Sequence, residues 1–151
     1  MLRALVFSEA HRRVPLLDHK RPSLAVDCVV FDAADRLLLI RRKNPPFQGR
    51  YALPGGFVDY GETAEQAAAR ELREETNLVA NDLALIGVYS DPHRDPRGHV
   101  ISIAYLVTVA GDGAAAGDDA SVAAFVADWR DQALAFDHGK IVADARRLLR
   151  R

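Results

Sequence analysis

One stretch of this 151-residue chain constrains the fold more than any other, because it carries the start and stop signals of a helix. Thr63 and Gln66 have the spacing of a capping box, in which each side chain binds the backbone amide of the other residue. Asn77 can adopt the left-handed backbone that closes a helix. The sequence therefore predicts an α-helix over residues 64–76.

The predicted helix concentrates negative charge on one face. Glu71, Glu74 and Glu75 are three and four residues apart, so their side chains share about 100° of the helix surface. Like charges at this spacing cost roughly a few tenths of a kcal/mol per pair when exposed, and more when partly enclosed. Arg70 relieves only part of this repulsion, whereas a divalent cation relieves it better, and magnesium prefers oxygen ligands. The alternative is a solvated, glutamate-rich surface helix.

Apolar and β-branched runs elsewhere in the chain predict a sheet. Residues 24–31 and 36–42 flank a four-residue turn and indicate a β-hairpin. Further strands are predicted at residues 51–53, 57–58, 83–90, 99–109 and 122–127, and a second helix at residues 138–150. Strands outnumber helices, and two helices can cover the faces of a sheet. This pattern indicates a layered α/β domain with a mixed sheet.

The composition excludes several classes of protein. The net charge is −1, so no overall charge attracts the chain to nucleic acid or to an anionic membrane. Cys28 is the only cysteine, which excludes an internal disulfide and a cysteine-based zinc site. No apolar run approaches the roughly 18 residues of a membrane span, and the charged N-terminal residues do not form a signal peptide. We therefore expect a cytoplasmic protein without nucleic-acid or membrane partners.

Residues 56–78, GFVDYGETAEQAAARELREETNL, resemble the signature of the Nudix hydrolases. That signature is G-x5-E-x7-R-E-U-x-E-E-x-G-U, with U aliphatic, and Asn77 replaces its last glycine. The similarity extends over RPSLAVDCVVF, LLLIRRKNPPFQGRYALPGGFVDYGE and YSDPHRDPRGHVISIAYLV, with weaker matches at AGDDA and AFDH. The resemblance implies a Nudix-like α/β/α sandwich with a mixed β-sheet, formed by a single Nudix hydrolase domain over residues 1–151.

The resemblance also implies a chemistry. Nudix enzymes hydrolyse a nucleoside diphosphate linked to another moiety and use Mg²⁺ or Mn²⁺ for this reaction. Carried over by position, the metal ligands are the side chains of Glu71, Glu74 and Glu75 and the backbone carbonyl of Gly55. Glu62 supports the site, and Arg70 orients the glutamates through charge-assisted hydrogen bonds. The catalytic residues implied in this way include Glu71, Glu75, Glu62 and Arg70.

The general base stays open between two places in the chain. Glu71 deprotonates the attacking water in some relatives, whereas others use an acidic residue on a loop. Asp118 and Asp119 lie in a Gly- and Ala-rich stretch that suits such a loop, and we include both as catalytic candidates. The alternative for this pair is a solvated surface position without a catalytic role.

The loop DPHRDPRGH, residues 91–99, contains the candidate substrate-binding residues Pro92, Arg94, Arg97 and His99. Its arginines can bind a phosphate or a ribose by bidentate contacts, or they can pair with the aspartates of the same turn. The loop resembles that of the ADP-ribose pyrophosphatase branch, in which a proline follows the signature at about this distance. Pro92 matches that proline, and Pro96 is the second choice. The resemblance implies cleavage of ADP-ribose to AMP and ribose 5-phosphate by a homodimer, in which residues 1–13 form an exchanged strand.

Two other functions are weighed against this one. The first is a housecleaning enzyme that acts on nucleoside triphosphates such as oxidised dGTP. The second is a sensor that binds an ADP-ribose-type ligand without cleaving it and regulates transcription. The sensor predicts a damaged glutamate set and an added DNA-binding domain. The three helix glutamates are intact here, which favours an enzyme with a small nucleotide substrate.

Overall fold

The computed structural model describes residues 20–110 and 123–151. In these residues the chain forms seven strands, two α-helices and one short 3-10 helix at Trp129–Asp131. The strands are β1 (Ser23–Val29), β2 (Leu37–Arg41), β3 (Tyr51–Ala52), β4 (Gly55–Phe57), β5 (Ala80–Tyr89), β6 (Val100–Val109) and β7 (Ala123–Val126). The helices are α1 (Ala64–Thr76) and α2 (His138–Leu149). None of the helices in this part of the chain is long and apolar enough to cross a membrane.

The strands form two sheets. The larger sheet has the order β4-β1-β6-β5, and the smaller one has the order β3-β2-β7. β1 and β6 are parallel, whereas β4 pairs with β1, and β5 with β6, in the antiparallel direction. The larger sheet is therefore mixed, which confirms the prediction.

The two helices cover opposite faces of the larger sheet. Val26 and Cys28 of β1 pack with Ala68 and Leu72 of α1 in one buried cluster. Val29 belongs to the other cluster, which also contains Ile141, Val142 and Ala145 of α2. Alternate residues of a strand point to opposite faces, so one strand supplies both cores. This arrangement of helix, sheet and helix confirms the predicted α/β/α layering.

The predicted hairpin of residues 24–31 and 36–42 is wrong in its pairing. The turn itself forms, with a bridge between Phe31 and Leu37 and a 2.9 Å bond from the Leu38 amide to the Val30 carbonyl. Beyond the turn, however, β1 continues in the larger sheet and β2 in the smaller one. Three successive residues of β2, Leu37–Leu39, are fully buried. A strand buried on both faces needs cover on both sides, which a local hairpin does not supply.

Helix α1 has the predicted bounds and the predicted caps. The Thr63 hydroxyl accepts a bond from the Gln66 amide at 3.1 Å, and the Gln66 side chain accepts one from the Thr63 amide at 2.9 Å. Asn77 ends the helix with φ of 58°, in the left-handed region. Small buried alanines on the inner face allow a close approach to the sheet. The acidic face of α1 is thereby fixed beside β4.

Candidate active site

Helix α1 brings its glutamates directly against the backbone of Gly55 and Gly56. A Cβ atom added at Gly56 would lie 2.4 Å from Oε1 of Glu71. The Gly55 amide donates a hydrogen bond of 3.1 Å to Oε2 of Glu75. The glycine pair is required here because a side chain at Gly56 would occupy the place of the Glu71 carboxylate.

The backbone of Gly55 also presents an oxygen at this site. β4 is an edge strand whose residues pair with β1 in the register Val26 with Gly56 and Asp27 with Gly55. In an antiparallel strand the amide and carbonyl of one residue point to the same edge. The Gly55 amide points to Glu75, so the Gly55 carbonyl faces the same open edge of β4.

Arg70 fixes the remaining carboxylates. Its guanidinium donates to Glu62 at 2.7 Å and 3.0 Å, to Glu71 at 2.8 Å and to Glu74 at 3.3 Å. A further bond of 3.0 Å reaches the Phe57 carbonyl. The hydrogen bonds from Arg70 lower the pKa of Glu62, and those to Glu62 and Glu71 raise the pKa of Arg70. Arg70 thus links Glu62 to the acidic face of α1, whereas the catalytic roles of Glu62 and Arg70 stay a prediction.

The surroundings of Glu75 disfavour its charged form. Burial raises its pKa to about 7, the hydrogen bond from Gly55 opposes this rise, and the charges of Glu71 and Asp27 add to it. A strongly raised carboxyl pKa in a cleft is typical of functional sites. The fold therefore maintains a buried carboxylate beside two other acids, at a cost to the stability of the metal-free protein.

These residues fit a hard divalent cation. The donors are carboxylate and carbonyl oxygens, which Mg²⁺ and Mn²⁺ prefer, and the glycine backbone leaves room beside Glu71 and Glu75. In residues 20–110 and 123–151 no three acidic, histidine or cysteine side chains already converge as metal ligands. The Glu74 side chain is 60% exposed and lies 3.3 Å from Arg70. The metal role of Glu71, Glu74, Glu75 and Gly55 stays a prediction.

Gly56→Ala tests the close approach of backbone and carboxylate. The added methyl group displaces the flexible end of Glu71, and we expect kcat/KM to fall about 10²-fold because reacting groups move by about 1 Å. The melting temperature should change little, since the clash is with the end of a side chain and not with backbone. Steady-state kinetics and thermal unfolding measure the two effects.

Two further alanine variants are the controls for Gly56→Ala. A Cβ at Gly55 would lie 2.1 Å from the Val26 carbonyl, so Gly55→Ala should destabilise the fold itself. A Cβ at Gly139 meets no atom within 4 Å, so Gly139→Ala should leave activity unchanged. Wild-type activity in Gly56→Ala would contradict the placement of Glu71 against this backbone.

A cavity of about 150 Å³ opens beside the glutamates. Its lining combines the edge of β4 with the loop of residues 91–99 and the segment before α2, and it includes Asp27, Arg42, Glu75, Arg94, Arg97, Phe136 and His138. Pockets that enclose a whole small ligand measure roughly 300–1,000 Å³. A cavity of this size therefore encloses only part of such a ligand.

Arginines and aromatic rings line the entrance of this cavity. The guanidinium carbon of Arg97 lies 5.6 Å from the ring centre of Phe57 and 5.5 Å from that of Phe136. The guanidinium carbon of Arg42 lies 4.9 Å from the ring centre of Phe136, and Nε of Arg42 donates to the Pro46 carbonyl at 2.7 Å. Burial lowers the pKa of Arg42, and the charge of Arg97 lowers it further. The lining holds three arginines and three acidic residues, so Arg42 and Arg97 offer local contacts for an anionic group rather than a cavity of net positive charge.

The four predicted substrate-binding residues have different surroundings. Arg97 and Arg94 both line the cavity, whereas the lining includes neither Pro92 nor His99. Arg97 is 46% exposed and pairs with Asp95 at 2.8 Å, which is the pairing within the turn that the sequence left open. The His99 ring lies 3.3 Å from the Ser90 carbonyl at the exposed base of the loop. Of the four, Arg97 has the clearest access to a ligand.

Arg94 is almost wholly enclosed by the protein. Its side chain is 4% exposed and binds Asp137 through two hydrogen bonds of 2.9 Å and 2.6 Å. Burial alone would lower the pKa of Arg94, but the ion pair with Asp137 outweighs burial and raises it. This geometry gives Arg94 a partner in the fold, and its role as a substrate ligand stays a prediction.

Several residues at the site were not foreseen from the sequence. Asp27, Arg42, Phe136 and His138 line the cavity. A signal for Asp27 was present, because it is the one charged residue in the apolar run LAVDCVVF. His138 lies in AFDH, which belongs to the weaker part of the resemblance. The predicted candidates Asp118 and Asp119 lie outside the described residues, so the choice of general base stays open.

Comparisons with known proteins agree with this geometry. A family model described as NUDIX domain matches residues 21–151. The ADP-ribose pyrophosphatase of Methanocaldococcus jannaschii is 52% identical over 123 residues, which cover 82% of this chain and 72% of that protein. The NUDIX domain of Shewanella oneidensis NrtR, solved in complex with ADP ribose, superimposes with a TM-score of 0.72 at 31% identity and covers 87% of this chain and 90% of that one.

A third relative points to another substrate. The putative 8-oxo-dGTP diphosphatase of Bacillus subtilis is 43% identical over 72 residues. The match covers 48% of this chain and 46% of that protein, so the chain spans less than half of its length.

Proposed function

The chain belongs to the Nudix family and is a Nudix pyrophosphatase, and we propose that it hydrolyses ADP-ribose to AMP and ribose 5-phosphate with Mg²⁺ or Mn²⁺. The observation that carries this proposal is the close contact of Glu71 and Glu75 with the backbone of Gly55 and Gly56, at the mouth of a cavity lined with arginines. The 52% identity to an ADP-ribose pyrophosphatase supports the choice of substrate.

The reaction requires little covalent chemistry from the protein. Water adds to one phosphorus atom, the bridging phosphorus–oxygen bond breaks, and the protons of the water pass to a base and then to solvent. Glu71, Glu74, Glu75 and the Gly55 carbonyl would hold a divalent cation, which would supply charge neutralisation and activation of the attacking water. Arg70 and Glu62 keep the carboxylates in place, and Glu71 or an acidic residue at 118 or 119 accepts the proton.

The cavity supplies the selectivity for one end of the substrate. We propose that the cationic groups of Arg42 and Arg97 bind phosphate oxygens, and that a flat base or a sugar rests against Phe57 or Phe136. Phe57 lines the cavity and is 46% exposed, so its ring is accessible for stacking by a ligand. The triphosphate alternative keeps support from the Bacillus relative, so the choice between the substrates needs a direct test.

A substrate panel tests the proposed function. We expect kcat/KM for ADP-ribose to exceed that for 8-oxo-dGTP, dGTP and nucleotide sugars by at least about tenfold, which is a difference of about 1.4 kcal/mol in transition-state binding. Released AMP and pyrophosphate are measured with Mg²⁺ and with Mn²⁺, and with EDTA as the control. A preference for a triphosphate would replace ADP-ribose and keep the family assignment. Tight ADP-ribose binding without turnover would favour the sensor.

We also propose a homodimer and a single domain over residues 1–151. β5 is an edge strand whose Leu85 and Val88 are 57% and 59% exposed. Exposed apolar residues on a free sheet edge favour association. Leu85→Asp should convert a dimer to a monomer in sedimentation velocity, and Val79→Asp, at an exposed position just before β5, is the control. A wild-type monomer at micromolar concentration would refute the dimer.

The remaining predictions concern the N-terminal segment, the cellular location and the binding partners. The exchanged strand of residues 1–13 lies outside the described residues. A cytoplasmic location and the lack of nucleic-acid and membrane partners stay predictions, which cell fractionation and binding assays would test.

A further inference from the structure

His138, the first residue of α2, lies between two parts of the active site. Its ring is buried, with 5% of the residue exposed. Nδ1 accepts a hydrogen bond of 3.0 Å from the amide of Leu53, two residues before Gly55. Nε2 lies 3.3 Å from Oδ1 of Asp27 on β1. One imidazole thus connects helix α2, strand β1 and the segment that leads into β4.

The hydrogen bonds define the tautomer of this ring. A nitrogen that accepts a bond from an amide carries no proton, so the proton of the neutral ring is on Nε2. Nε2 can then donate to Asp27, which accepts on its other oxygen from the Ser102 hydroxyl at 2.5 Å. Burial lowers the pKa of His138, which favours the neutral ring. Asp27 is therefore oriented to keep Nδ1 free as an acceptor.

In the segment from Leu53 to Gly56, the first two residues are buried and the two glycines pair with β1, and three further hydrogen bonds fix its backbone. The Leu53 amide binds His138, the Pro54 carbonyl accepts from the Cys28 amide at 2.8 Å, and the Gly55 amide donates to Glu75. The carboxylate of Asp27 lies close to the same strand, since a Cβ at Gly55 would be 2.9 Å from its Oδ1. A shift of Leu53 would therefore move the Gly55 carbonyl.

We propose that His138 is a positioning residue that holds Leu53 and thereby sets the place of the Gly55 carbonyl, with Asp27 fixing the tautomer that makes this possible. The inference rests on the proposed metal role of Gly55. His138 does not touch the reacting atoms; it acts through the backbone. Its loss should affect cation binding and kcat more than the KM for the substrate.

Two substitutions separate the two hydrogen bonds of the ring. In His138→Asn, the side-chain oxygen replaces Nδ1 and can still accept from Leu53, but the bond to Asp27 is lost. In His138→Gln, the amide reaches Asp27, but no acceptor remains for Leu53. Asn is the shorter side chain and removes more packing at this buried position, so a purely structural role predicts a loss in His138→Asn at least as large as in His138→Gln.

The measurements are Mn²⁺ binding by electron paramagnetic resonance and steady-state kinetics well below both melting temperatures. We expect His138→Gln to bind Mn²⁺ about tenfold more weakly and to lose kcat by about tenfold or more, because ligand-orienting partners of metal sites have effects of this size. His138→Asn should stay within about threefold of wild type on the same basis. Equal Mn²⁺ affinities in the two variants would overturn the proposal.

A measurement on the wild-type protein tests the proposal even if neither variant folds. A hydrogen bond from an amide to an imidazole nitrogen transmits a coupling between the two ¹⁵N nuclei. We expect this coupling between Leu53 and Nδ1 of His138, together with a proton on Nε2. A proton on Nδ1 would overturn the proposal. The outcome is independent of the substrate, so it is distinguishable from a failure of the proposed ADP-ribose activity.

Discussion

Glu75→Gln should abolish turnover and, at the same time, stabilise the metal-free protein. The variant removes a carboxylate that we propose as a metal ligand, and we expect kcat/KM to fall by at least about 10³-fold, since metal sites supply several kcal/mol of transition-state stabilisation. The Gln side chain keeps the size of Glu and can still accept the hydrogen bond from Gly55. The fold should therefore persist.

The gain in stability follows from the pKa of Glu75, which burial raises to about 7 from an ordinary value of 4.5. The folded protein holds this proton more tightly than the unfolded chain does. The Glu75 contribution to stability is therefore complete below pH 4.5 and declines as the pH rises through 7. At pH 8 in EDTA, Glu75→Gln should be about 1–3 kcal/mol more stable than wild type to unfolding by urea.

Glu65→Gln is the matched control for this prediction. Glu65 lies on the same helix, is exposed, and accepts a hydrogen bond of 3.0 Å from the Tyr105 hydroxyl that an amide oxygen can also accept. Its activity should stay within about twofold of wild type, as for most surface substitutions. A Glu75→Gln variant with Mg²⁺-dependent turnover would refute its role as a ligand. Equal stability of wild type and variant in EDTA at pH 8 would refute the raised pKa of Glu75 and the destabilisation by its ionised form.

Arg94→Met should produce the largest loss of stability among the loop variants. It leaves the carboxylate of Asp137, 23% exposed, without its partner, and it removes a positive charge 3.7 Å from the buried Asp27. Breaking a buried ion pair by removing one partner costs about 3–5 kcal/mol. We expect the free energy of unfolding, measured by urea denaturation, to fall by about 3 kcal/mol.

Two further variants define the origin of that loss. The double variant Arg94→Met with Asp137→Leu should recover part of the stability, because no charge is then left unpaired at this position. Arg97→Met should cost less than Arg94→Met, because the buried Asp95 keeps the hydrogen bond of 2.9 Å from the Arg97 amide after the side chain is lost, and it should raise the KM for ADP-ribose. Wild-type stability of Arg94→Met, combined with a raised KM, would instead make Arg94 the substrate ligand.

The contrast between Arg94 and Arg97 shows what the sequence could not provide. Both residues lie in one polar loop, and the loop sequence DPHRDPRGH gives them equivalent surroundings. Their difference arises from Asp137, which is 43 residues further along the chain and binds Arg94 but not Arg97. Asp27 and His138 were missed for the same reason, since their partners are 75 and 85 residues away.

Helix α1 was predictable because its signals are local. The caps at Thr63 and Asn77 lie next to the helix that they define, and the acidic spacing within one face needs no distant partner. The hairpin failed because strand pairing depends on the whole sheet: β1 pairs with β4 and β6, and β2 with β3 and β7. Local patterns therefore located the acidic residues, whereas the walls of the cavity depended on long-range contacts.

The catalytic role of the acidic helix is tested most directly by crystals soaked with Mn²⁺ and a non-hydrolysable diphosphate analogue of ADP-ribose. Anomalous diffraction locates manganese independently of any assumption about the reaction. We predict manganese bound by Glu71, Glu74, Glu75 and the Gly55 carbonyl and in contact with the diphosphate. An analogue seated in the cavity with no manganese near these oxygens would contradict the proposed mechanism.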